Sequence, residues 1–216
     1  MLEVKGFVFS PFQENTYVIS NAKGECCIVD PGCYFEEERN ELKGYIDSKK
    51  LVPKYLLNTH CHLDHIFGAK FVYDTWGLVL QFHEADQVVL DNADKAAARW
   101  NTPFDLYEGP VHYLKEGEII KVGDDAGDEF KILFVPGHSP GHIAYYNAAQ
   151  EFVVSGDVLF KYGIGRYDLP GGSLNTLLNS IKTQLYTLPD QTQVLPGHGP
   201  VTTIGHEKVN NPYVHE

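Results

Sequence analysis

Apolar runs alternate along this chain with stretches of helix-like spacing and charge. LEVKGFVF, NTYVIS and ECCIVD, within the first 30 residues, read as strands rich in β-branched and aromatic side chains. EEERNELKGYIDSKK follows as a helix, its acidic start and basic end both favoured by the helix dipole. A strand KYLLNTH, a helix from about Asp64 to Trp76, a strand LVLQFH and a helix EADQVVLDNADKAAARW come next. Residues 101–117 are turn-rich and aromatic, and beyond them EIIKV, FKILFVPGH, AYYN, FVVSGD and QVLPGH read as strands. Ser173 is placed to cap a helix through Leu188, with Leu174, Leu177, Leu178, Ile181, Leu185 and Leu188 on one face. Many strands are apolar on both faces, as in sheets covered by helices. This periodicity supports an α/β fold. Its best architecture is a four-layer sandwich of two packed sheets with helices outside both, and with no repeat or linker the whole of 1–216 reads as one domain.

Composition narrows the function. Hydrophobic residues make up 43% and charged residues 21%, ordinary for a globular chain. The formal net charge of -12, with Lys and Arg scattered, repels phosphate backbones and speaks against a nucleic-acid partner. MLEVKGFVFSPFQENTYVIS lacks the basic start and apolar stretch of a secretory signal, and no window has the apolar length of a membrane span. A cytoplasmic protein without membrane association is expected. Cys26, Cys27, Cys33 and Cys61 show neither finger spacing nor a disulfide framework and read as reduced, buried thiols. Cys26 and Cys27, if on a strand, point to opposite faces.

Four segments share one arrangement. KYLLNTHCHLDH, KILFVPGHSPGH, FVVSGD and QVLPGH each place a His or Asp directly past a buried-strand run, at the sheet edge where α/β proteins build sites. His60 and His62 are two apart and point the same way on extended backbone, so they chelate one ion; with His138 they make the three-imidazole shell of catalytic zinc. Asp64 and His65 lie where the chain turns into a helix and face a second ion, completed by His198. Asp157 is left as a carboxylate that bridges both. Between two metals, a water becomes a hydroxide at ordinary pH. Cys61, between two ligands, points away and reads as packing. His83, His112, His142, His206 and His215 read as satisfied core histidines. Asp30 is either a brace for a ligand imidazole or simply an Asp-Pro-Gly turn.

THCHLDH (59–65), PGHSPGH (136–142), SGD (155–157) and PGHG (196–199), with Asn15, Tyr17 and the IVDPG ending at Gly32, resemble the metallo-β-lactamase superfamily over essentially the whole chain. GDVLFKYGIGRYDLPGG and PGHGPVTTIGHEKVNNP look most like short glyoxalase II-like (hydroxyacylglutathione hydrolase-like) hydrolases. The resemblance implies the αβ/βα sandwich and a dinuclear site, usually two zinc ions, with iron or manganese as the other options. Glyoxalase II also has a C-terminal helical domain that helps hold glutathione; the stretch after His198 leaves no room for it. In that family a basic residue and aromatics after the bridging Asp contact glutathione; Arg166 and Tyr167 resemble partial counterparts, while Asp168 stands where a second aromatic is expected.

The expected reaction is hydrolysis of a small-molecule thioester. A metal-bridging hydroxide attacks the carbonyl carbon, one metal stabilises the oxyanion, the other the leaving thiolate, and Asp64 orients the water. The alternative is a persulfide dioxygenase of the same fold, which needs only one iron on a two-His, one-carboxylate set. A lactamase, a phosphodiesterase and a non-catalytic metal-binding module rank lower. The pocket is expected between the loop after Asp157, with Arg166 as a bidentate carboxylate anchor, and the aromatic stretch of Trp100, Phe104, Tyr107 and Tyr113, whose rings otherwise complete the core.

Overall fold

The computed structural model describes residues 1–214. Its first sheet sets β1 (Glu3–Phe9), β2 (Glu14–Ser20), β3 (Glu25–Val29), β4 (Val52–Leu57), β5 (Leu80–His83) and β6 (Val111–Leu114) side by side in chain order. β1 to β3 are antiparallel, and β3 to β6 are parallel. Parallel neighbours need crossovers. Here they are α1 (Glu36–Ser48), the pair α2 (Leu63–Ile66) and α3 (Ala69–Trp76), and the pair α4 (Gln87–Leu90) and α5 (Ala93–Trp100). The second half supplies β7 (Ile119–Lys121), β8 (Glu129–Phe134), β9 (Ile143–Asn147), β10 (Phe152–Gly156), a small hairpin of β11 (Leu159–Phe160) and β12 (Gly163–Ile164), α6 (Leu174–Ser180), β13 (Gln193–Pro196), β14 (Thr202–Thr203) and α7 (Ile204–Asn210). Its sheet runs β14-β13-β10-β9-β8-β7.

Strand alternation sorts the apolar residues into three layers. Val18, Cys26 and Leu56 pack outward beneath Leu42 and Ile46 of α1 and Val72 of α3. Their neighbours Ile19, Cys27 and Leu57 face inward, against Phe130, Ile132, Tyr145 and Val154 of the second sheet. Leu133, Val153 and Val194 face out on the far side, under Leu177, Ile181 and Leu185. Two sheets with helices on both outer faces make the four-layer αβ/βα sandwich, and Cys26 and Cys27 do lie on opposite faces of β3. Each fully buried Leu, Ile or Phe in these layers contributes about 1.5–3 kcal/mol of transfer free energy.

Four expectations need correction. Lys49 and Lys50 lie past the last turn of α1, so that turn has no basic residue; Lys50 has φ +53°. The helix expected over 64–76 is two helices, because the backbone at Gly68 packs so closely on Pro31 and Cys33 that a methyl group there would collide with the Cys33 thiol. The helix expected from residue 84 to 100 is a tight turn at Glu84–Asp86 followed by α4 and α5, since Asp86 turns into the interior. The helix capped by Ser173, whose Oγ accepts from the Thr176 N–H, continues past α6 only as a wider turn over Ile181–Leu185, and Leu188 lies beyond it. The strands β6 and β14, the β11–β12 hairpin and α7 are not among the elements the pattern predicts. No helix among the described residues is long and apolar enough to cross a membrane.

Candidate metal centre

All seven anticipated donors meet where the two sheets open at one edge. After β4 the chain bends at Thr59 and runs irregularly through His60 to an extended His62, the residue before α2, whose first turn carries Asp64 and His65. His138 follows β8, Asp157 follows β10 and His198 follows β13. His62 Nδ1 lies 2.8 Å from His138 Nε2, which is 3.2 Å from His60 Nε2. Asp64 Oδ2 lies 3.1 Å from His198 Nε2 and 3.9 Å from His65 Nε2. Each trio can converge on one cation. Asp157 stands between them, 3.5 Å from His65 Nε2 through Oδ1, and 3.6 Å from His138 Nε2 and 3.5 Å from His198 Nε2 through Oδ2. Gly197 permits this approach, for a methyl group there would strike Asp157 Oδ1 and the His65 ring.

The outer nitrogens set the tautomers. His138 Nδ1–H donates to the Arg166 carbonyl at 2.7 Å. His65 Nδ1–H donates to Asp30 Oδ2 at 3.1 Å, and His60 Nδ1 is 3.0 Å from Thr59 Oγ1, whose hydroxyl donates to the same Asp30 oxygen at 2.6 Å. With those protons committed outward, three Nε2 lone pairs point into the centre. Asp30, at φ +49°, also accepts from the Thr59 N–H at 2.7 Å. It is both the turn and the brace, so one carboxylate holds imidazoles of both trios. His65 Nε2 and Asp157 Oδ1 are buried and have no hydrogen-bond partner among the described residues. Unpaired buried donors and acceptors are costly, and a cation satisfies both of these. The residues present therefore fit two divalent cations.

Two contributors escaped the sequence reading. Asp86 is buried, and its carboxylate accepts from the Cys61 N–H at 2.6 Å, the Gly141 N–H at 2.7 Å and the Ser139 hydroxyl, tying the His60–His62 loop to the His138 loop. His142, expected as a core histidine, is buried with its ring stacked 4.6 Å from that of His60, and its Nε2 accepts the Asp157 N–H at 3.0 Å. Among the other histidines, His83 stacks on Phe134, His112 is exposed on β6, and His206 packs edge-on to Tyr162. His215 lies outside the described residues.

Electrostatics separate the trios. Burial, reinforced by the facing imidazoles, lowers the pKa of His60 well below its ordinary value and that of His62 to about 3. Burial also holds His138 down, Asp157 only partly offsetting it. At His65 burial opposes charge too, but Asp157, Asp64 and Asp30 outweigh it and raise the pKa well above normal. At His198 the Asp64 hydrogen bond and the Asp157 charge likewise win against burial. A raised imidazole pKa keeps a proton at pH values where the first trio has released its own, and that proton competes with metal. On acidification from about pH 8 to about pH 5, the Asp64–His65–His198 trio is therefore expected to release its cation before the three-imidazole trio. Metal release followed with a chromogenic chelator checks this: His198→Ala should abolish the early phase, and simultaneous release of both equivalents would contradict the ordering.

Above the donors opens a cavity of about 870 Å³, walled by apolar side chains including Phe12, Leu63, Val88 and Phe160, with His62, Asp64, His138, Asp157 and His198 at its base. Arg166 lines it, but its guanidinium is held by Asp168 through two 3.0 Å bonds; Tyr167 is exposed and is not among the lining residues. The aromatic stretch divides. Trp100 lines the cavity, whereas Phe104 packs on Phe67, Tyr107 on Tyr73 and Tyr113 on Phe82.

The family model described as the metallo-beta-lactamase superfamily matches residues 9–198. A hydroxyacylglutathione hydrolase, GloC, of Haemophilus influenzae is 37% identical over 209 residues, covering 94% of this chain and 93% of its own. The solved structure of the BLEG-1 B3 metallo-beta-lactamase superposes with a TM-score of 0.89 at 35% identity, over 99% of this chain and 100% of that one. The structure of TTHA1623 in a di-iron-bound form gives 0.86 at 36%, over 98% and 100%.

Proposed function

The chain belongs to the metallo-β-lactamase superfamily, and on that premise we propose that it is a hydrolase that holds two divalent cations and cleaves small-molecule thioesters. The observation that carries this reading is the convergence of two donor trios and a shared carboxylate at the base of one apolar cavity. Cations bound there would acidify water and polarise a carbonyl oxygen. The chain's residues do the rest. Asp64, half-buried at the cavity base, has its pKa lowered: burial pushes it up, but the His65 charge and the His198 hydrogen bond prevail. Its carboxylate is therefore ionised at neutral pH and is an acceptor that orients the attacking water. Asp30, Thr59 and the Arg166 carbonyl keep the imidazoles from turning. The apolar wall excludes bulk water and receives the acyl chain.

Thioester chemistry takes its support from the Haemophilus relative's description, and the di-iron relative makes iron an option beside zinc. A second reading, a mononuclear iron dioxygenase, is kept because Asp64, His65 and His198 are by themselves a two-His, one-carboxylate set. Metal analysis separates the two, together with a panel of S-lactoylglutathione, a neutral S-lactoyl thioester, a β-lactam and glutathione persulfide. Two metal equivalents with thioester turnover are expected. One iron, no second equivalent after zinc addition and oxygen consumption on the persulfide would replace this proposal with the second reading; β-lactam turnover alone would overturn the substrate class.

A further inference from the structure

The cavity has a charged rim in an unexpected place. Asn92, Lys95, Ala96 and Arg99 all line it, and their spacing puts them on one face of α5. α5 packs against α2, the helix that carries Asp64 and His65. The chain has 17 Lys and Arg against 29 Asp and Glu, and among the described residues seven of these cations, Arg166 included, are ion-paired. Yet neither of these two has an acidic partner among the described residues. The Lys95 ammonium donates to Asn92 Oδ1 at 2.7 Å, and among the described residues it has no other partner and Arg99 has no hydrogen bond or ion pair. Arg99 in the last turn suits the helix dipole. Lys95, four residues earlier, has no such reason, and like charges at this spacing work against a helix. Across the cavity Arg166 is already occupied by Asp168.

We propose that Lys95 and Arg99 form the specificity-determining anion rim of this cavity, selecting thioesters whose carrier arm bears carboxylates while the acyl arm lies along the apolar wall toward the donors. The two free cations supply the charge complement of such an arm, and the apolar surface between α5 and the metal centre supplies the rest. This inference deepens the hydrolase reading and rests on it for the reaction, but not for the binding.

Two probes that cannot be hydrolysed test it. Metal-loaded wild type and the Lys95→Gln/Arg99→Gln double variant, matched for metal content, are titrated calorimetrically with S-hexylglutathione and with neutral S-hexyl-N-acetylcysteamine. Wild type is expected to prefer the glutathione thioether. The double variant should bind it at least about tenfold more weakly while losing much less for the neutral probe, and the wild-type preference should shrink at high salt, as exposed charges are screened. Arg99→Lys should keep most of the preference. In turnover, the ratio of kcat/KM for S-lactoylglutathione over a neutral S-lactoyl thioester should fall by a similar factor, carried by KM. Equal Kd for S-hexylglutathione in wild type and double variant, or no wild-type preference between the probes, overturns the rim. Rim-dependent binding without any thioester turnover would instead sink the reaction and leave the rim standing.

Discussion

Replacing Asp157 with alanine is expected to leave a folded protein that retains less than one metal equivalent and turns over at least about 10³-fold more slowly. The carboxylate reaches three imidazoles, His65, His138 and His198, at 3.5 to 3.6 Å. Asp30 braces outer nitrogens of both trios, whereas Asp157 reaches the inner Nε2 atoms of both. Its pKa is driven down: burial opposes ionisation, but the neighbouring His65, with His198 and His138, overcomes it. The side chain is thus an anion whose removal would take away the charge that offsets the cations held there. A factor of 10³ corresponds to about 4 kcal/mol, within the several kcal/mol that metal ions supply to a developing charge. The fold should survive, because Asp157 Oδ1 has no hydrogen-bond partner among the described residues and the backbone N–H that His142 accepts is kept. Elemental analysis, steady-state rates and circular dichroism of the variant check each part. Asp168→Ala, which disturbs only an exposed pair with Arg166, is the control that should retain metal. Full metal and full turnover in Asp157→Ala would remove the bridging assignment.

Asp86→Ala is expected to act on stability first and on metal second. Its carboxylate takes two backbone N–H groups and a hydroxyl from two different loops. Removing it leaves those buried donors unsatisfied, at about 1–3 kcal/mol each. Burial itself raises the Asp86 pKa against the pull of Ser139, Cys61 and Gly141. The ionised form is thus held at some cost, and the net loss should be about 2–4 kcal/mol rather than the sum. A folded pKa above the unfolded one means that protonated Asp86 is the better buried, so this group's contribution to stability is greatest in acid and declines as pH rises through its folded value. Metal affinity should fall about 10–100-fold, the usual effect of losing a residue that orients ligands. Urea unfolding of metal-free protein reads the first effect, and competition with a chelator the second. Asp86→Asn, similar in shape but with one acceptor lost, should fall between. An alanine variant as stable as wild type, with unchanged metal affinity, would show that the two loops hold themselves.

The candidate donors are legible in the sequence because each of their four segments follows an apolar run, so that metal-capable side chains gather just past strand ends. Asp86 is not, being one acid in EADQVVLDNADKAAARW, where Glu84, Asp91 and Asp94 face outward. Only the tertiary approach of the Ser139–Gly141 loop turns it into a clamp. His142 could have been suspected from the second His of PGHSPGH, yet its partner is a backbone N–H that no side-chain pattern reveals. Composition marked the aromatic stretch but could not say which rings face the cavity, since Trp100 and Phe104 differ in packing rather than in type. The short strands β6, β11, β12 and β14 have too few residues to display alternation, and the free cations of α5 read on sequence as an ordinary solvated face.

Each donor trio draws from both sheets. His60 and His62 hang from the end of β4, and Asp64 and His65 from the helix that follows it, while His138 and His198 follow β8 and β13 of the other sheet. A cation held by either trio is thus a cross-link between the two halves of the sandwich, and the unfolded chain offers no such pair of sites. Thermodynamic linkage follows. Free metal at a hundredfold excess over its dissociation constant adds about 2.7 kcal/mol per site to the folded state, comparable with a disulfide. The durability of this molecule is then a property of its surroundings as much as of its sequence, and a metal-starved copy is weakest along the seam through which substrate would enter.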